Sequence, residues 1–208
     1  MEPGRIGIIG ATPLEFGGIY EEDFLKKYFA EKGFSKVVCY GMGDGLDAVR
    51  EAAAAEKNIV VSPAGIAAAK YLQQKFGTPY ELFCPPEIIP EWKEKKEPKM
   101  QKEQVAGLLN VEELSEKKIL IVHQQVLANT LREEFISANI NVASWFMMNK
   151  GQKKEQDILF KEEDDWITYI KENEYDIIIA DPLLKKAVPF YKGEWYDLPH
   201  FAISGKKR

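Results

Sequence analysis

Two histidines and one carboxylate stand where acid–base or ligand chemistry would be expected. His123 closes the apolar run Lys118-Ile-Leu-Ile-Val, just before Gln124-Gln125. An imidazole changes charge near neutral pH and can act as acid, base or ligand. At a strand end it can equally be satisfied by a backbone group. His200 lies in Leu198-Pro-His-Phe, close behind Tyr196 and Asp197, where a carboxylate can orient the ring. Asp181 follows the apolar run Ile177-Ile-Ile-Ala and precedes Pro182. It reads either as an acid at a sheet edge or as a helix N-cap.

The thiols are Cys39 and Cys84. Cys39 sits inside an apolar run and reads as core. Cys84 follows another such run and is expected at an exposed edge. A reactive or ligating thiol needs basic or metallic surroundings that lower its pKa. Two cysteines this far apart make no metal motif by themselves. Gly41-Met-Gly-Asp-Gly45 follows a strand and opens a helix, so N–H groups around Gly43 can cradle a phosphate. Its spacing is not that of the dinucleotide fingerprint. The plain alternative is a tight turn with Asp44 as the helix N-cap. The sequence contains no triad, paired-carboxylate or CxxC arrangement.

These residues must be positioned by strands and helices, and one stretch organises the rest. Asn58-Ile-Val-Val-Ser62 is short, apolar and rich in β-branched residues, like a strand buried on both faces. Pro63 suits the first turn of a helix. Residues 64–76 carry apolar side chains at helical spacing, and Gly77 is the expected C-cap. A strand at 80–83 follows. Ligands of open α/β sheets sit beyond the carboxyl ends of strands, which points to the Ser62-Pro-Ala-Gly65 turn. A small residue such as Gly65 there allows close approach of backbone or ligand.

In chain order, strands are expected at 5–10, 36–40, 58–62 and 80–83. Helices are expected at 21–33, 46–56 and 64–76. Residues 84–90 break regular structure, and 91–100 are highly charged. The domains are placed at 1–84 and 117–208, with a linker at 85–116 bridged by a helix over 101–114. The second series has strands at 118–123, 140–147, 176–180 and 198–204. Its helices are expected at 126–138, 164–173 and just after Asp181. Strands alternating with helices imply parallel sheets with right-handed crossovers. The fold class is therefore α/β.

Composition narrows the function classes. The chain has 208 residues, 45% apolar and 29% charged, with a net charge of −5. That balance is globular and disfavours general binding to nucleic acid or anionic membrane. No apolar run approaches the roughly 20 residues of a transmembrane helix. The N-terminal residues have no signal-peptide layout, and two cysteines fit a reducing compartment, so the expected location is cytoplasmic.

Three stretches carry a resemblance. Ile8-Ile-Gly-Ala-Thr-Pro-Leu-Glu-Phe-Gly17 looks like the strand-loop entry of the second domain in nitrogenase component 1-type proteins. Asn58-Ile-Val-Val-Ser-Pro-Ala-Gly-Ile-Ala-Ala-Ala-Lys70, running on to Gly77-Thr-Pro-Tyr80, is similar to their segment of strand, small turn, long helix and Gly-x-Pro. Asp181-Pro-Leu-Leu and Leu198-Pro-His-Phe-Ala-Ile-Ser-Gly205 resemble the last domain of members related to cofactor-assembly scaffolds.

The resemblance implies two Rossmann-like three-layer domains with parallel sheets facing across a cleft. It implies an oxidoreductase-type subunit, typical of anaerobes, that binds an iron–sulfur-type cluster or a tetrapyrrole. It also implies a related partner subunit, in a homo- or hetero-oligomer, and an ATP-driven iron protein. The cleft would be lined by Thr12, Gly43, Ser62, Gly65, His123, Asp181 and His200, with Cys84 and His200 as metal ligands. The departures matter equally. The family's first domain, with its bridging-cluster cysteines, has no counterpart here. Ser62 stands where the catalytic nitrogenase subunit has a ligating cysteine, and a hydroxyl is a poor ligand for iron–sulfur chemistry. The family's C-terminal histidine ligand falls near Pro199-His200. Nitrogen reduction does not suit this chain, and no cluster should stay on it without a partner. The alternatives are a non-catalytic scaffold or binding protein, and an unrelated nucleotide-binding enzyme resting on residues 41–45.

Overall fold

The computed structural model describes residues 1–16, 21–88, 116–134 and 139–205. Nine strands form two parallel sheets among them. The first has the order β2-β1-β3-β4, from β1 (Glu2–Ile9), β2 (Lys36–Tyr40), β3 (Ala55–Val60) and β4 (Tyr80–Leu82). The second has the order β7-β6-β5-β8-β9, from β5 (Lys118–Val122), β6 (Asn139–Ser144), β7 (Ile158–Leu159), β8 (Ile177–Ala180) and β9 (Glu194–Asp197). Every strand pairing is parallel, so each sheet needs cover on both faces.

The helices are α1 (Pro13–Phe16), α2 (Glu21–Glu31), α3 (Leu46–Arg50), α4 (Ile66–Phe76), α5 (Gln125–Glu134), α6 (Glu163–Glu172), α7 (Pro182–Ala187) and α8 (Phe201–Ser204). Strand side chains alternate between faces, and the buried residues sort accordingly. Ile6, Ile8, Cys39, Ile59 and Val61 of the first half share one core with Ile119, Ile121, Val142, Ile177 and Ile179 of the second. Leu25 and Phe29 of α2, and Val126, Leu127 and Leu131 of α5, complete that core. The opposite face of the first sheet buries Ile9, Val38, Tyr40 and Val60 against Ile66 and Ala69 of α4. The opposite face of the second sheet is aromatic, with Phe160, Trp166, Tyr175 and the partly buried Trp145 and Trp195. The architecture is thus two Rossmann-like α/β units, each three-layered, that join through a common apolar layer.

Local chemistry explains most boundaries. Pro63 opens a single 3-10 turn, Pro63–Gly65, ahead of α4, and Gly77 ends α4 in the left-handed region at φ +74°. Asp181 caps α7.

Three expectations are corrected. The helix expected over 46–56 stops at Arg50, because Ala55 and Glu56 belong to β3, where Glu56 accepts the Gly4 N–H. Asp44 does not cap α3: its carboxylate accepts the Cys39 N–H at 2.7 Å and pairs with Lys26 at 3.0 Å. The last strand is Glu194–Asp197, not 198–204, because Phe201–Ser204 is a short helix with His200 as its N-cap. The expected helix over 101–114 lies outside the described residues. Among the described residues, no helix is long and apolar enough to cross a membrane.

Candidate functional site at two facing switch points

Strand order reverses once in each sheet. In the first, the chain turns outward from β1 to β2 and then, with β3, in the other direction. In the second, the reversal lies between β5 and β8. Such a switch point leaves a crevice at the strands' carboxyl ends, where α/β proteins place ligands. Here the two switch points meet. Gln124, just after β5, donates to the carbonyl of Val61, just after β3, at 2.9 Å. The helix α1, after β1, packs on α8, after β9.

The second switch point holds the polar cluster. Asp181 is fully buried, and its carboxylate accepts the Leu183 N–H and the His200 N–H, both at 2.8 Å. One carboxylate therefore starts α7 and fixes the backbone that presents His200. The His200 Nδ1 accepts the Ala202 N–H at 3.2 Å. An accepting nitrogen carries no proton, so the ring proton sits on Nε2, which faces the Glu15 carboxylate at 3.3 Å. The ring stacks on Phe146, with centroids 4.4 Å apart and planes 12° apart, and touches the His123 ring at 4.5 Å. His123 Nε2 lies 3.4 Å from the Pro199 carbonyl, so a backbone partner does orient it. Gln125 clamps the loop that carries Phe146, accepting from the Asn149 N–H at 2.7 Å and donating to its carbonyl at 3.1 Å.

The first switch point is closed by backbone and small residues. Ser62 Oγ donates to the Gly10 carbonyl at 2.5 Å. A Cβ on Gly65 would sit 2.7 Å from the Ile9 carbonyl oxygen and 2.9 Å from the Gly10 nitrogen. Thr12 contributes its carbonyl, which accepts the Glu15 and Phe16 N–H groups and shapes α1.

Of the expected site residues, Thr12, Ser62, Gly65, His123, Asp181 and His200 come to this seam. Gly43 packs instead against the Glu22 side chain of α2. The carboxylate beside His200 is Glu15, distant in sequence, and not the neighbouring Asp197. Glu15, Phe146 and Gln124 were absent from the sequence-based site. No short-range signal marks Glu15 or Phe146, whereas Gln124 directly follows a strand-end histidine.

The thiols lie elsewhere in character. Cys84, expected at an exposed edge, is fully buried, and its N–H donates to Thr130 Oγ1 at 3.2 Å. Burial pushes its thiol well up, and the Glu15 and Glu87 carboxylates add to this. Burial likewise pushes the Cys39 thiol up to about 12. Both His200 nitrogens already have partners. Among the described residues, no three His, Cys, Asp or Glu side chains are grouped to hold a metal ion. Leu14 and Met147, the chain neighbours of Glu15 and Phe146, are exposed, while the His200 imidazole is buried.

The comparisons agree with the fold. No protein-family model and no curated sequence matches the chain. Its structure is similar to that of nitrogenase Cp1 at pH 6.5, with a TM-score of 0.57 and 14% identity, over 96% of this chain and 53% of that one. The chain thus spans about half the length of that protein. Weaker likenesses include a transcription regulator-like protein from Staphylococcus haemolyticus (TM-score 0.33, 13% identity, 88% of this chain and 69% of that one). Another is D-2-hydroxyisocaproate dehydrogenase (TM-score 0.24, 10% identity, 84% and 61%). The first likeness establishes a nitrogenase-like α/β fold and nothing about chemistry.

Proposed function

We propose that the chain is a nitrogenase component 1-type subunit whose own contribution is a ligand seat, with redox work shared with a partner chain and an ATP-driven iron protein. The observation that carries this is the meeting of two switch points with His123, His200, Glu15 and Phe146 between them. The ligand this seat suits is organic, with an apolar body and a polar group, as a tetrapyrrole or a similar small molecule has. The Glu15 carboxylate, oriented by His200 and 15% exposed, would take the polar group, and Leu14 and Met147 would border the apolar part. Cys39 and Cys84 are not grouped with other metal-ligating side chains among the described residues, and the Ser62 hydroxyl is committed to Gly10, so nitrogen reduction is not proposed. A binding or scaffold role without redox turnover is the second reading. It is favoured by the tight packing of the imidazoles, which leaves no reacting centre among the described side chains.

The test is purification without oxygen, followed by a visible spectrum, iron and acid-labile sulfide analysis, and light scattering. The expected result is a chromophore or extractable organic ligand in an oligomer, lost in His200→Ala. Stoichiometric iron and sulfide on a monomer would overturn the reading. ATP-dependent reduction of the bound ligand by an iron protein would separate a redox subunit from a scaffold.

A further inference from the structure

A groove of about 580 Å³ opens at the other end of the second sheet, away from the seam. Its walls come from the starts of β5 and β6, from residues 155–158 leading into β7, and from the last turn of α6 with Asn173. They present Lys118, Asn139, Asn141, Gln156, Tyr169 and Asn173. Four of the lining residues are amides, which both donate and accept; Asn173 Nδ2 already donates once, to the Tyr169 carbonyl at 3.0 Å.

Asn141 is 5% exposed, and its Nδ2 donates to the Tyr175 hydroxyl at 2.7 Å. Its Oδ1 is buried and has no hydrogen-bond partner among the described residues. Buried acceptors are nearly always satisfied, so this one points to a missing donor. The Tyr175 hydroxyl pairs in turn with that of Tyr169, which reaches the groove wall. Either hydroxyl can donate in this pair; when Tyr175 donates, the Tyr169 O–H is left to donate outward and its oxygen to accept.

The charges in the groove balance. Asp157 is consumed by Arg132 at 2.6 Å and by the Val142 and Lys154 N–H groups. The Lys118 ammonium lies 4.6 Å from the centre of the Tyr175 ring. Glu155 is the remaining lining carboxylate. One ammonium facing one carboxylate favours neither cations nor anions. Amides that donate and accept together suit hydroxyl groups, which do the same.

We propose that this groove is a second site, for a neutral polyhydroxylated molecule of mono- or disaccharide size. It is independent of the seam. The experiment is saturation-transfer NMR on the full chain with a panel of neutral mono- and disaccharides, followed by titration of the best binder. Tyr169→Phe and Asn173→Ala should each weaken it about tenfold, the effect of one lost hydrogen bond, while His200→Ala leaves it unchanged. Asn141→Leu should abolish binding, with circular dichroism reporting that it folds. If it does not fold, the two other variants decide. No transfer to any neutral sugar, or affinity untouched by both variants, would overturn the proposal. So would a preference for sugar phosphates over their neutral parents.

Discussion

The two switch points occupy the same place in two similar sheets, yet they are finished differently. At the first, small residues let backbone meet backbone: Gly10 has φ +88°, Gly65 lies against Ile9 and Gly10, and Ser62 ties to the Gly10 carbonyl. At the second, side chains fill the crevice: a buried carboxylate, two imidazoles and a stacked Phe146. Topology alone therefore fixes where a ligand would sit, and not which half supplies the chemistry. The first half supplies shape and the Glu15 carboxylate, which reaches across to His200.

If that division holds, the first switch point should be intolerant of volume. Gly65→Leu places atoms under 3 Å from rigid backbone of β1. The expected loss is about 3 kcal/mol or more, the upper end of overpacking costs. Urea unfolding measures it, and a midpoint like the parent's would mean that the turn is free to move. The second switch point should be intolerant of lost acceptors. Asp181→Ala leaves two buried N–H groups without their carboxylate. It should lose about 2–3 kcal/mol, with Asp181→Asn recovering part. Ser62→Ala removes one hydroxyl donor and should lose about 1 kcal/mol, the net worth of an ordinary hydrogen bond. A larger loss from Ser62→Ala than from Asp181→Ala would invert the comparison.

The first half of this division was legible in the sequence, and the second only in part. β5, β8 and the second half of β1 are near-continuous apolar runs because both faces of a parallel sheet are covered, and such runs read directly. Pro63, Gly77 and Asp181 announce helix ends through local chemistry. The region 194–204 misled because Leu198, Phe201, Ala202 and Ile203 look like a strand. The real edge strand, Glu194–Asp197, has exposed acidic ends around a half-buried Trp195-Tyr196 and no apolar run. The alanines at 52–55 look helical, and Ala52–Ala54 do form a 3-10 turn, but Ala55 pairs with Glu2 and starts β3. β7 has two residues and no pattern to read. The partnership of Glu15 with His200 joins opposite ends of the chain, and no local rule encodes it. The same holds for Phe146, whose loop is held by the Gln125 clamp and by the Ser144 hydroxyl.

Glu15→Gln is the mildest test and the most specific to the seam. The Glu15 side chain is 15% exposed, and its contact with His200 Nε2 is 3.3 Å, longer than a strong charged pair. An amide oxygen can still accept the Nε2 proton, so stability should change by less than about 1 kcal/mol. What should change is the imidazole itself. The Ala202 N–H keeps Nδ1 as the accepting nitrogen in either case. The tautomer should thus survive while the carboxylate's field at Nε2 disappears. Nitrogen-15 NMR of the His200 ring reads both: Nδ1 should stay unprotonated, and the Nε2 resonance should move. An unmoved Nε2 would mean that Glu15 does not reach the ring in solution. A loss as large as that of Asp181→Ala would mean that Glu15 is part of the framework, and the two halves would then share the chemistry instead of dividing it.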